Sequence, residues 1–214
     1  MVETKLQAEP ESNSRRERAR QAKRRRIARA AAELFHERGF DATTVEQIAE
    51  RADVAKGTVF LYAKTKARLL LLVYEAEIGD AVAEALRAIQ PDAPILETLV
   101  GLFGRFFQLY ERDIDLARRF VQELVLTAPD ADGQVISTTA EFLAWLAALI
   151  RGWQAAGRVE TDVDALLAAR TTFALYYAAL LGWLSGQIPD TQARDELLAK
   201  SFALHWRGLM IEPR

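Results

Sequence analysis

The chain has 214 residues, half of them apolar and 27% charged, enough for a buried core in one or two domains. It has no cysteine, which excludes disulfide frameworks and thiolate metal sites, and neither His36 nor His205 has a partner at metal-ligand spacing. The net charge of −2 hides an asymmetry: residues 1–66 hold 15 Lys+Arg and 10 Asp+Glu, whereas residues 67–214 hold 13 and 20, so a basic first third and an acidic remainder are expected to meet different partners.

Ala and Leu dominate, and no segment alternates apolar and polar residues with period two, so the expected class is all-α. The first 26 residues are polar and charged rather than a cleavable leader, and the expected location is the cytoplasm. Residues 1–14 (MVETKLQAEPESNS) carry Pro10 and no apolar stripe, and are predicted to be a disordered tail. A first helix is expected over about Arg16 to Arg38, with Ile27, Ala31, Leu34 and Phe35 on one face and Gly39 as its stop. Its first half, RRERARQAKRRRIAR (Arg15–Arg29), has nine basic residues against one Glu. Such a run is either a solvated face or a polyanion-binding arm.

A second helix opens at DATTVEQIAERA. Thr43 has Glu46 three residues on and Thr44 has Gln47, so either pair can form a capping box. Val45, Ile48, Ala49 and Ala52 make its buried stripe. A third, short helix begins near Ala55 or Lys56. If Val59 and Ala63, spaced by four, point inward, then Lys56, Gly57, Thr58, Phe60, Leu61 and Tyr62 cannot all do so at 100° per residue. Apolar residues left outside beside a threonine and a lysine imply a ligand surface. Six further helices are predicted, over about Thr65–Ile89, Ile95–Tyr110, Ile114–Thr127, Gln134–Ala156, Val163–Gly186 and Thr191–Leu209, with Pro91, Pro94, Pro129 and Gly133 in the breaks.

Two short helices joined by a tight turn, the second with a mixed outward face, describe a helix-turn-helix over about residues 44–63. Asp53 stands at the turn, where the backbone usually goes left-handed, a conformation Asp tolerates better than most residues. The stretch AAAELFHERGFDATTVEQIAERADVAKGTVFLYAKTKARLL resembles the N-terminal pattern of the TetR (tetracycline-repressor) family of bacterial transcriptional regulators. The resemblance covers about Arg24 to Val73, through Phe35, Gly39-Phe40, Thr43-Thr44, Ile48-Ala49, Gly57-Thr58, Tyr62 and Lys66. The sequence departs from that pattern at Asp53, where the family usually has Gly, at Ala55, where it has Ser or Thr, and at Phe60, where it has Tyr.

The resemblance implies an N-terminal three-helix domain over 15–66 that binds double-stranded DNA, and a helical ligand-binding and dimerisation domain over 67–214. The third helix would enter the major groove, with Lys56 and Gly57 at its N-terminus and Thr58 and Leu61 on base edges. Phe60 lies on the same surface without the phenol that could reach a phosphate. Tyr62 and Lys66 are implied phosphate contacts. The start of the second helix would add Thr43 or Thr44, and Arg24, Arg25 and Arg26 would follow the backbone or reach the minor groove.

A two-fold dimer reading a palindromic operator needs a second surface. The resemblance assigns it to the last two helices, where Leu198, Phe202, His205, Trp206 and Leu209 form a stripe. The uncharged run Thr171–Ile188 is at the short limit for a membrane span and holds several polar residues, so no membrane segment is expected. The family resemblance also implies a pocket for a small, largely apolar effector in the C-terminal part. Candidates are Phe107, Tyr110, Phe142, Trp145, Phe173 and Tyr177, any of which could equally be core. Arg170, in an otherwise uncharged helix, would either pair with an acidic residue or meet an anionic ligand. No nucleophile motif, phosphate loop or histidine–carboxylate pair supports catalysis, and no cofactor is expected. The reading is a ligand-responsive repressor. A helical protein-interaction module with a basic polyanion-binding arm stays open beside it, as does an enzyme with an accessory DNA-binding domain.

Overall fold

A computed structural model describes residues 9–90, 92–126 and 134–210. Among these are nine α-helices: α1 (Glu9–Arg38), α2 (Val45–Arg51), α3 (Lys56–Phe60), α4 (Lys66–Ala88), α5 (Ile95–Glu111), α6 (Ile114–Leu126), α7 (Gln134–Ala155), α8 (Ala165–Leu184) and α9 (Thr191–Trp206). No strand occurs among the described residues; the extended pairing is the isolated bridge between Val159 and Met210. The all-α class holds. The chain divides into two compact units after Ala76, inside α4, rather than after Lys66. Residues Glu9–Ser14, expected in a disordered tail, belong to α1; residues 1–8 of that tail and the break at Pro129 and Gly133 lie outside the described residues.

In the first unit, Ile27, Ala31, Leu34 and Phe35 of α1 are buried, as the i, i+4, i+7, i+8 spacing requires. Gly39 then adopts φ 81, and its N–H donates to the Phe35 carbonyl at 2.9 Å, closing the helix where a residue with a Cβ would be strained. Of the two possible starts for α2, Thr44 is the cap. Its hydroxyl accepts from the Gln47 N–H, and the Gln47 side chain accepts from the Thr44 N–H in return. Ile48 and Ala49 of α2, and Ala52 just after it, are buried beneath α1, with Val45 half-buried.

The second unit is built on aromatic packing. Phe103 of α5 meets Phe106, Phe142, Tyr176 and Phe202 with ring centroids 4.8–5.8 Å apart. Pairs of this kind contribute about 0.5–1.5 kcal/mol each beyond the area they bury. Asp164 and Asp190 cap α8 and α9 through carboxylates that accept from the N–H groups of the first turn. By length and composition α8 could cross a membrane. Here it is a packed helix: it lies against α6, α7 and α9, with Ala168, Thr172, Tyr176, Ala179 and Trp183 buried. Trp206 of α9 is sealed in the same core and donates from Nε1 to Thr172 Oγ1 at 3.2 Å.

Candidate nucleic-acid interface and effector site

The turn between α2 and α3 is set by Asp53, at φ 49 among the described residues the one non-glycine in the left-handed region. Arg26 of α1 donates to the Asp53 carbonyl at 3.0 Å, and the Val54 N–H donates to the Ala49 carbonyl at 3.0 Å. The turn is thereby tied both to α1 and to α2. Ala55 occupies the cap of α3 with extended backbone and no side-chain hydrogen bond. A hydroxyl there would add about 1 kcal/mol.

Five residues of helix follow. Val59 is fully buried and Ala63 nearly so, while Phe60 is 40% and Leu61 83% exposed. Lys56 and Gly57 are exposed, and Thr58 and Tyr62 half-buried. This is the outward mixed face that the spacing demanded. Lys56 pairs with Glu46 of α2, and its Nζ also lies 5.8 Å from the Phe60 ring. The carboxyl of Glu46 is held below its ordinary value chiefly by that hydrogen bond. Lys66 is already engaged: its Nζ donates to the Asp41 carbonyl at 3.0 Å and stands over the Phe40 ring at 4.6 Å.

Two of the sequence assignments need correction. Thr43 is buried, and its hydroxyl is within 3.0 Å of the Leu34 carbonyl and 2.9 Å of the Gly39 carbonyl. It fastens the end of α1 to the start of α2 and has no surface for a phosphate; the exposed residue of the pair is Thr44. The three arginines before Ile27 also differ. Arg24 is half-buried and pairs with Glu75, Arg26 is exposed but donates to the turn, and Arg25 is exposed. Further positive charge of α1 lies earlier, at Arg15, Arg16 and Lys23, all exposed along the helix, and at Arg20, which is exposed and paired with Glu17 at 3.8 Å.

In the second unit the candidate aromatics fall into two groups. Phe107, Tyr110 and Phe142 are buried. Trp145, Phe173 and Tyr177 are half-buried, with the Phe173 and Tyr177 rings stacked at 6.0 Å and 16°. Tyr110 and Tyr176 share a hydrogen bond in the core, and burial pushes the Tyr110 phenol up to about 12. Arg170 is exposed on α8 and makes no ion pair among the described residues, so the expected pairing with an acidic residue is not found there.

Among the described residues the buried cation is Arg194, which its sequence context does not single out. It is 2% exposed. Its Nη2 donates to Glu111 and to Asp195, 2.7 Å each, and its Nε donates to Asp195 at 2.9 Å. The guanidinium carbon lies 4.0 Å from the Phe107 ring centroid and 4.4 Å from that of Trp183. A sequence signal existed: Arg194, Leu198, Phe202 and Trp206 follow one another at i+4 on a single stripe.

That stripe also overturns the expected dimer residues. Leu198, Phe202 and Trp206 are buried inside the subunit and have no free face for a partner. His205 is half-buried, and Leu209 lies beyond α9, where its carbonyl accepts from the Glu160 N–H at 3.0 Å. The apolar residues on the outside are others: Leu167 and Leu181 of α8, and Leu197 and Leu204 of α9.

A helix-turn-helix on a basic unit, followed by an all-helical acidic unit with an aromatic core, defines a one-component DNA-binding regulator. The family model described as bacterial regulatory proteins, tetR family, matches residues 27–73. The transcriptional regulator RutR of Escherichia coli strain K12 is 31% identical over 150 residues, covering 69% of each chain. The chain belongs to the TetR family and is a DNA-binding transcriptional regulator. It is also similar to the fatty acid metabolism regulator protein of Bacillus subtilis, at 25% identity over 74% of this chain and 81% of that one. Among solved structures, Thermus thermophilus FadR, a TetR-family transcriptional repressor in complex with lauroyl-CoA, superposes with a TM-score of 0.72 and 27% identity over 89% of this chain and 97% of that one. These relatives are regulators of transcription, so membership answers the question that the basic arm alone left open between DNA and other polyanions.

Proposed function

We propose that the protein is a repressor that holds a palindromic operator as a homodimer and releases it when a largely apolar small molecule enters the helical unit. The observation that carries the DNA side is the contrast along α3: Val59 is sealed inside while Leu61, two residues on, is 83% exposed. An apolar side chain held out on a helix one turn and a half long suits contact with base edges, thymine methyls included. Thr58, Lys56 and Gly57 complete the reading surface, Thr44 and Tyr62 flank it for phosphates, and Lys66 can turn from Asp41 to a phosphate. The exposed arginines of α1 add sequence-independent attraction. Operation on chromosomal DNA would place the protein in the cytoplasm.

The dimer would form through the outward faces of α8 and α9, centred on Leu167, Leu181, Leu197 and Leu204 rather than on the buried stripe. The effector would be an acyl-chain compound, in keeping with the lauroyl-CoA bound by Thermus thermophilus FadR and with the aromatic core of this unit. Its binding would favour a conformation in which the two α3 helices no longer fit successive major grooves, about 34–36 Å apart. Selection of bound duplexes from a random pool tests the reading. The expected product is a two-fold symmetric site that lauroyl-CoA releases; recovery of unsymmetric or random sequences would refute it.

A further inference from the structure

The buried guanidinium of Arg194 is not fully used. Nε and Nη2 take the carboxylates of Glu111 and Asp195, but Nη1 is buried and has no acceptor among the described residues. Leaving a charged donor unmatched in a core is among the costlier arrangements a protein can hold. Only an acceptor can satisfy it. The rings of Phe107 and Trp183 cover the guanidinium within 4.4 Å. An acceptor therefore has to arrive in the guanidinium plane, at the Nη1 edge.

The charge on that acceptor follows from the neighbours. One positive group already faces two carboxylates, so the cluster is net negative before anything binds. A carboxylate or phosphate brought to the buried Nη1 would add a third negative charge beside Glu111 and Asp195, whose exposure softens the repulsion without removing it. An uncharged carbonyl oxygen meets the donor without that repulsion. Phe107 also packs on Tyr176, whose phenol lies close enough to feel the Arg194 charge, and Tyr176 packs on Phe103. The surroundings thus suit an apolar chain.

We propose that the Nη1 edge of Arg194 is the polar anchor of the effector site, taking the uncharged carbonyl oxygen of an acyl thioester, ester or amide whose apolar part lies against the rings of Phe107, Tyr176 and Phe103. The proposal rests on the reading that the helical unit binds an acyl-chain effector, and it adds which end of that effector is recognised and why a free fatty acid is a poor substitute.

Calorimetric titration of the full-length protein with three probes of equal chain length tests it. The probes are lauroyl-CoA, S-dodecyl-CoA (a thioether without the carbonyl) and laurate. Wild-type protein is expected to bind lauroyl-CoA about tenfold more tightly than the thioether, the scale of one hydrogen bond to a charged donor. Arg194→Met should bind the two alike. Glu111→Gln, which keeps the arginine and removes one carboxylate, should raise the affinity for laurate several-fold. Equal binding of lauroyl-CoA and thioether by the wild type, or a preference that persists in Arg194→Met, overturns the anchor alone. Failure of the wild type to bind any of the three overturns the anchor and the acyl-effector reading together.

Discussion

Arg26, in the middle of α1, donates from Nη2 to the main-chain carbonyl of Asp53 at 3.0 Å, so a residue of the basic run stabilises the left-handed turn of the helix-turn-helix from 27 positions away. Arg25 and Arg26 are both exposed, and Arg26 is the one engaged with the turn. The two should therefore behave differently on DNA. Arg25→Met is expected to reduce the slope of log K against log salt by about 0.9 per subunit, the signature of one lost phosphate contact. Arg26→Met should leave that slope unchanged and instead lower thermal stability. Equal losses of slope in both variants would place Arg26 on the DNA after all.

The Asp53 backbone itself gives a stability prediction. A β-branched residue at φ 49 is strained, so Asp53→Val should lose about 1–2 kcal/mol. Asp53→Gly removes the strain but adds freedom to the unfolded chain, worth about 0.4–1 kcal/mol in the other direction. The net change for glycine should be near zero. Urea unfolding followed by far-ultraviolet dichroism measures both, and a loss on Asp53→Gly as large as that for valine would show that the aspartate side chain, not the turn geometry, matters.

Thr43 and Thr44 are adjacent and chemically identical, yet only Thr44 faces water. Thr43→Val deprives the Leu34 and Gly39 carbonyls of their donor, at a cost of about 1–3 kcal/mol. Thr44→Ala removes the capping box, at about 1 kcal/mol. At a temperature where both variants stay folded, operator affinity should fall for Thr44→Ala alone. A folded Thr43→Val protein with weakened operator binding would contradict the burial argument.

Low pH should loosen the first unit through its surface ion pairs. Hydrogen bonds from Arg29 and then Arg51 hold the Glu33 carboxyl below its ordinary value of 4.5, and Arg51 does the same for Glu37. A carboxyl with a depressed folded pKa adds stability above its unfolded value, and that contribution is lost as the pH drops through the folded one. Arg51→Met should make stability less dependent on pH below 4.5, by a small amount because the groups are exposed and screened by salt. An unchanged pH profile in Arg51→Met would mean that the pair contributes nothing.

The first unit was largely readable from the sequence because its signals are local. Gly39, the Thr44–Gln47 pair, Asp53 and the Val59–Ala63 spacing each act within one or two turns of chain. The second unit resisted for a different reason. An apolar stripe such as Leu198–Phe202–Trp206 says that a helix face is buried, not what buries it, so the inside of the subunit was mistaken for its contact with a partner. Arg170 stands out because its sequence neighbours are uncharged, although on the helical wheel it lies opposite the buried positions Ala168, Ala169 and Thr172 and so points outward. Arg194 was overlooked because Asp195 and Glu196 make its segment look like an exposed face, and only the i+4 relation to Leu198 marks it as inward.

The corrected dimer surface separates cleanly from the core in a pair of variants. Leu204 is 74% exposed, so removing it from the subunit's own packing costs little, while a charge placed there would meet solvent in the monomer. In a two-fold interface each residue faces the same patch on its partner, so Leu204→Glu buries two carboxylates rather than one. Leu204→Glu is expected to sediment as a folded monomer with unchanged helical dichroism and to lose operator binding, since a single module contacts only one half-site. Phe202→Ala, two positions earlier and fully buried, should instead lose about 3–5 kcal/mol of stability. A Leu204→Glu protein that remains dimeric would move the interface away from the outer face of α9.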